Sequence, residues 1–141
     1  MFDKKWTPEG LNQMAGGCML DHLGIEFLGL EGDCLTARMP VDERTRQPYG
    51  ILHGGASVVL AETLGSVAAM MCIDNSRYVP MGMEINANHL RPVKSGFVTG
   101  KTKSIHLGRK SHVWQIVITN EEEKLVCISR ITMAINEMEK K

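Results

Sequence analysis

Gly54-Gly55-Ala56-Ser57-Val58-Val59-Leu60-Ala61-Glu62-Thr63-Leu64-Gly65-Ser66-Val67-Ala68-Ala69-Met70-Met71 decides the fold, and it runs on through Cys72 and Ile73 to Asp74. The segment is rich in Ala, Leu and Met and apolar nearly all round. Its spacing predicts one buried helix from His53 or Gly54 to about Asp74, roughly 20 residues and 30 Å long at about 1.5 Å per residue. After Asp74 the apolar period changes from 3.6 to 2, which marks strands. Four runs follow: Val79 to Leu90, Phe97 to Ile105, His112 to Thr119 and Leu125 to Ile135. Turn residues separate them at Pro92 to Gly96, Leu107 to Arg109 and Asn120 to Lys124. A parallel α/β fold would need helices between these strands, and no helical pattern follows Asp74.

Working outward, Thr7-Pro8-Glu9 has the form of a helix start, with a capping hydroxyl and a proline at the first helical position. Gly16-Gly17 would end that helix, and a short turn through Leu20 and Leu23 would follow. Ile25 to Leu30 and Cys34 to Met39 form a predicted hairpin across Glu31-Gly32-Asp33, and Asp42 to Pro48 is polar and irregular. The expected fold is therefore α+β: six largely antiparallel strands curled around one long central helix, in a single domain over residues 1–141.

The 141 residues are enough for one domain with a substantial core. With 16 Lys+Arg against 16 Asp+Glu the net charge is zero, so a nucleic-acid partner is not expected. Cys18, Cys34, Cys72 and Cys127 are scattered, and with His22, His53, His89, His106 and His112 they show no ligand spacing. Reduced thiols and no metal are expected. Met1 to Trp6 lacks the apolar core of a signal peptide, and Glu62 and glycine interrupt the apolar segment. These features predict a cytoplasmic protein without a membrane span.

Between Gln47 and Ile73 the only acid is Glu62. A charge buried without a partner is costly, so such a carboxylate is either paired with a Lys or Arg or kept for chemistry. Gly54-Gly55 at the helix start leaves backbone N–H groups free beside the positive end of the helix dipole, a setting for an oxyanion. The same pair also suits an ordinary tight turn. His53 can cap the helix, donate to a carbonyl oxygen, or simply pack, and Gln47 brings a neutral amide donor. Glu62 lies nine positions after His53, half a revolution out of phase and roughly 13 Å further along the axis. It cannot serve a carbonyl held at its own helix's N-terminus. It can serve one at the N-terminus of an antiparallel partner helix, which predicts a homodimer with a shared site. Ser66, one turn beyond Glu62, could hold the carboxylate or a water. Strict alternation would place Met81, Met83, Ile85, Ala87, His89 and Arg91 on one strand face. His106-Leu107-Gly108-Arg109-Lys110-Ser111 forms a basic turn suited to phosphates, with Arg91 and Lys94 as candidates for the same patch, although a solvated turn has the same composition.

Gln47-Pro48-Tyr49-Gly50-Ile51-Leu52-His53-Gly54-Gly55, then Glu62 and Ser66, then Glu84-Ile85-Asn86-Ala87-Asn88-His89, resemble the hotdog-fold acyl-CoA thioesterases. The subgroup resembled carries its catalytic Glu on the central helix and includes the naphthoyl-CoA and the enterobactin-pathway proofreading thioesterases. The resemblance runs from about Thr7 to Ile135. It implies that Glu62 is the nucleophile or the general base that drives water onto the thioester carbonyl. Gln47, His53 and the Gly54 N–H would polarise that carbonyl, and Ser66 would position the carboxylate or water. Gly82, the run His89-Leu90-Arg91-Pro92 and the turn from His106 to Ser111 would line the acyl and CoA grooves, with Arg109 and Lys110 meeting phosphates. The implied reaction is hydrolysis of an acyl-CoA with an aromatic or medium-sized acyl group. It needs no cofactor, CoA being part of the substrate. The implied assembly is a homodimer sharing its sites, paired again into a homotetramer. Two other functions share the pattern: a non-catalytic acyl-CoA-binding module, and a hotdog-fold enoyl-CoA hydratase. The hydratase needs a His with an Asp or Glu at the carbon skeleton, a set that is not evident here.

Overall fold

In the computed structural model of the protein, which describes residues 2–139, the long apolar segment forms helix α3, Gly54–Met71. The chain reaches it through α1 (Pro8–Met14), α2 (Met19–His22), β1 (Glu26–Glu31) and β2 (Cys34–Pro40). It leaves through β3 (Tyr78–His89), β4 (Phe97–Leu107), β5 (Ser111–Thr119) and β6 (Leu125–Glu137). All six strands join one antiparallel sheet in the order β1-β2-β4-β5-β6-β3, and α3 packs on its inner face. The expected architecture is present. Element bounds differ by a residue or two, except that α3 stops at Met71. Beyond it Asp74 accepts hydrogen bonds from the Ser76 N–H (3.0 Å) and hydroxyl (2.6 Å), a local turn that competes with another helical turn.

Local chemistry explains the flanking elements. Thr7 Oγ1 accepts the Gly10 N–H at 3.1 Å and caps α1. Asn12 docks that helix on β1 by accepting the Phe27 N–H (2.8 Å) and donating to the Phe27 carbonyl (3.0 Å). The β1–β2 hairpin turns through Gly32 and Asp33, with Gly32 at φ +63°.

The core lies between α3 and the concave face. Leu60, Ala61, Leu64 and Ala68 of the helix are fully buried with Leu35, Val98, Trp114, Ile116, Ile118 and Ile131 of the sheet. Each large side chain so buried is worth about 1.5–3 kcal/mol. The helix rides close to the strands: a Cβ on Gly65 would collide with Ile131, and one on Gly100 with Leu64. By length and composition α3 is the one helix among the described residues able to cross a membrane. Of its span, 56% is buried inside the fold, so its apolarity belongs to the core.

Strand β3 departs from simple alternation. Gly82 pairs with Met133 and Glu84 with Thr132, which leaves Met83 as an extra, bulged residue. The bulge reverses the faces on either side of it. Gly82 faces the helix, as do Ile85 and Ala87 beyond the bulge, whereas Met81 (55% exposed) and Met83 (68% exposed) do not join them. The single face expected for Met81, Met83 and Ile85 is therefore not formed. β3 is also an edge strand, which explains how Pro80, with no N–H to give, sits within it.

Candidate active site

The irregular loop between β2 and α3 is rigidly anchored. Buried Thr45 donates its hydroxyl to the Pro40 carbonyl (2.8 Å), and its own carbonyl accepts the His53 N–H (2.8 Å). Arg46 bridges Leu52, whose N–H reaches the Val93 carbonyl at 2.8 Å. Gln47 N–H donates to the Ile51 carbonyl (2.9 Å), and the Gly50 N–H returns to the Gln47 carbonyl (2.9 Å). Chain entry into α3 is thus fixed on both sides.

His53 caps the helix: its Nδ1 accepts the Gly55 N–H at 2.8 Å. That bond requires a lone pair on Nδ1, so the neutral ring carries its proton on Nε2, a donor. The Gly54 N–H finds no acceptor among the described residues. The glycine pair serves space rather than backbone freedom, since neither residue has positive φ. A Cβ on Gly54 would lie 2.9 Å from His89 Nε2, and one on Gly55 would lie 2.9 Å from His53 Nδ1. The His89 ring is therefore laid over Gly54. Around them opens a cleft of about 520 Å³ lined by Gln47, Gly54, His89, Leu90, Arg91 and Pro92, among others. Buried Ser57, one turn beyond His53, and Val126 also line it. The sequence does not single out either residue, although the one-turn spacing from His53 could have flagged Ser57.

Glu62 and Ser66 stand apart from this cleft. Glu62 is half-buried on α3, makes no ion pair among the described residues, and rests against β3 where a Cβ on Gly82 would come 2.7 Å from its Oε1. The alternative of a carboxylate buried against a Lys or Arg is therefore not the arrangement found. The Ser66 hydroxyl points to Met133 Sδ at 3.8 Å and makes no bond to Glu62. One protomer brings Gln47, His53 and Gly54 together and keeps Glu62 away from them.

The basic turn is at the other end of the sheet. β3 runs from Tyr78, opposite Glu137, to His89, opposite Cys127. Arg109 and Lys110 border cavities with Tyr78 and Ile135, while Arg91 Nε donates to the Leu125 carbonyl at 3.3 Å. Twelve residues of strand separate the two groups by about 36 Å at about 3.3 Å per residue. Within one protomer Arg91 and Lys94 do not form one patch with the turn from His106 to Ser111, because an extended strand cannot bring its two ends together. The turn itself is compact: the Gly108 N–H meets the Ser111 carbonyl at 2.9 Å, and the His106 ring folds over Gly108.

The described residues contain no group of three or more His, Cys, Asp or Glu side chains placed to hold a metal ion. The chemistry on offer is a free Gly54 N–H and the Gln47 amide on the wall of the cleft, with the His53 imidazole beside them and a carboxylate eight residues, about 12 Å, further along the helix. Donors of this kind stabilise the oxyanion that forms when an ester carbonyl is attacked.

Comparison with known proteins gives the same class of chemistry. The sequence profile of the Thioesterase superfamily matches residues 49–127. The 1,4-dihydroxy-2-naphthoyl-CoA hydrolase of Escherichia coli K12 is 50% identical over 135 residues, covering 96% of this chain and 98% of that protein. The proofreading thioesterase EntH of Cronobacter sakazakii is 47% identical over 135 residues, with the same two coverages. A thioesterase from Pseudomonas aeruginosa, solved as a mutant, superposes with a TM-score of 0.95 at 48% identity, covering 97% of this chain and 99% of that one. A thioesterase from Haemophilus influenzae gives 0.94 at 48% identity, over 99% and 96% of the two chains. With the sheet wrapped on α3 and the donors gathered at its N-terminus, the chain belongs to the Thioesterase superfamily, as a thioester hydrolase on the hotdog fold.

Proposed function

We propose that the protein hydrolyses an acyl-CoA thioester, with an aromatic or medium-sized acyl group, at a site completed by a second copy of the chain. One observation carries this reading: the spacing of two contacts between α3 and β3. His89 lies over Gly54, and Gly82 lies under Glu62. A two-fold axis passing beside Val58 exchanges helix position 54 with position 62. On β3 the matching axis passes through Asn86. Three steps lead from Asn86 to His89 in one direction and, counting the bulge as one step, three lead to Gly82 in the other. Both end points face the helix, so an antiparallel pair in this register keeps inner faces together. It brings Glu62 to the partner's Gly54 N–H. The exposed apolar side chains of the unpaired edge, Val79, Met81 and Met83, support burial there by a second copy.

The same pairing would carry the Tyr78 end of one β3 beside the His89 end of the other. Arg109 and Lys110 of one subunit then flank a groove begun by the partner's Arg91 and Pro92, a suitable seat for the phosphates of CoA. In the reaction, the Gly54 N–H, His53 Nε2–H and the Gln47 amide draw charge onto the carbonyl oxygen. Glu62 takes a proton from the attacking water, or attacks the carbonyl carbon itself to form a mixed anhydride that water then hydrolyses. The C–S bond breaks, CoA leaves as a thiol once protonated, and the acid is released. No cofactor takes part, and the dimers pair again into a tetramer. The name of the Escherichia coli relative, a dihydroxynaphthoyl-CoA hydrolase, supports an aromatic acyl group. The four free cysteines support a reducing compartment, the cytoplasm.

Mixing variants tests the shared site. Glu62→Gln alone should lose turnover while still binding acyl-CoA, and Gln47→Ala alone should be strongly impaired. After subunit exchange, half the dimers hold one intact site, so about a quarter of wild-type thiol release should return. No recovery on exchange would place all the groups in one subunit and overturn the reading. Retained turnover in Glu62→Gln would overturn the carboxylate's role.

A further inference from the structure

A glutamine that polarises a carbonyl must present its NH2 end, yet its two ends have nearly the same shape. Something has to decide which one faces the cleft. Here the Tyr49 N–H donates to Gln47 Oε1, which ties the oxygen to the loop and leaves Nε2 as the free end of a side chain that lines the cleft. The Tyr49 N–H is available because residues 47–50 form a turn closed by the Gly50 N–H on the Gln47 carbonyl (2.9 Å). Pro48 holds the second position of that turn. The chain must then reverse so that the Ile51 carbonyl can accept the Gln47 N–H (2.9 Å). It does so at Gly50, whose φ is +79°. A Cβ on Gly50 would meet nothing within 4 Å, so the requirement is purely one of backbone conformation.

We propose that Gly50 is a positioning residue: its left-handed turn orients the Gln47 amide as a donor to the substrate carbonyl. This inference rests on the role given to Gln47 in the proposed thioesterase reaction. Side-chain space and core packing play no part in it, which separates Gly50 from the glycines of α3.

Thiol release from an aromatic acyl-CoA by a set of variants tests it. Gln47→Ala should lower kcat about 100-fold, as loss of one oxyanion donor does. Gly50→Ala should lower kcat about tenfold or more, with KM changed by no more than about twofold, because the strained turn displaces the amide. Gly50→Asn should restore most of the loss, since Asn tolerates left-handed φ. Adding Gly50→Ala to Gln47→Ala should cost no more than about a further twofold, there being no amide left to misplace. Multiplying losses in the double variant, or equal losses for Ala and Asn at position 50, would overturn the inference while leaving the reaction standing. An unimpaired Gln47→Ala would overturn the role of Gln47 itself, and the inference with it. Melting temperatures of all variants show whether a loss reflects unfolding.

Discussion

Gly82→Ala should cripple turnover with little effect on stability. The methyl group would sit 2.7 Å from Glu62 Oε1, against an ordinary contact distance of 3.4 Å or more. The carboxylate must therefore withdraw by about 0.7 Å, a displacement on the scale at which misplaced catalytic groups lose about 100-fold in rate. We expect kcat to fall about 30- to 100-fold, equivalent to roughly 2–3 kcal/mol of transition-state stabilisation. The fold should tolerate the change. Gly82 has no positive φ, and the atom that must move is the end of a flexible side chain. The predicted change in Tm is below about 2 °C. The assay is thiol release from an aromatic acyl-CoA across substrate concentration, with thermal melts alongside. A folded Gly82→Ala variant within about twofold of wild-type kcat would show that Glu62 does not act from its place beside β3.

Other substitutions probe the scaffold. Gly65→Ala drives a methyl into Ile131 and should cost about 1–3 kcal/mol in denaturant titration; an unchanged midpoint would contradict the close packing of α3 on the sheet. Burial, and secondarily His106, holds the His112 imidazole below its ordinary pKa. The unfolded chain therefore binds the proton first, so stability should be full above about pH 6.5 and fall as the pH drops through and below that value. His112→Phe should flatten that acid branch, at no cost in hydrogen bonds because Nδ1 has no partner; melts from about pH 8 to about pH 5 would refute this if the variant fell as steeply as wild type. Asp33 is held below the usual carboxylate range by hydrogen bonds from Ser104, so its contribution should be present above about pH 4 and lost below it. Asp33→Asn should lose stability at neutral pH and show a shallower acid transition, and an identical pH profile would rule the contribution out.

Much of this was legible in the sequence. The switch of period at Asp74 gave the single wrapped helix, because helical and strand periodicities differ and neither pattern was short. The nine-residue offset of Glu62 from His53 already held the two apart on one helix, since rise and rotation per residue are constants, and the structure keeps Glu62 outside the cleft at the helix start. Three features were not legible. The Met83 bulge hid because the apolar residues before it and after it each alternate correctly, and only pairing with Met133 and Thr132 reveals the extra residue. The need for Gly54 hid because it comes from a ring 35 positions later, His89, in a contact set by the tertiary fold. Grouping Arg91 with Arg109 overlooked the length of β3, which holds the two apart.

The bulge also bears on assembly errors. A flat edge strand can slide along its mate, and the smallest slip that keeps inner faces matched is two residues, about 6.6 Å. In the proposed register centred on Asn86 each His89 would meet the irregular step at Gly82–Met83 of the other strand. A slipped pair would carry that irregular step away from the strand end at His89, and the symmetry would repeat the shift at both ends. It would also draw each carboxylate away from its N–H. Misassembly and inactivity would thus coincide, and the one residue that breaks the strand's alternation would serve as the mark by which two identical edges find their alignment.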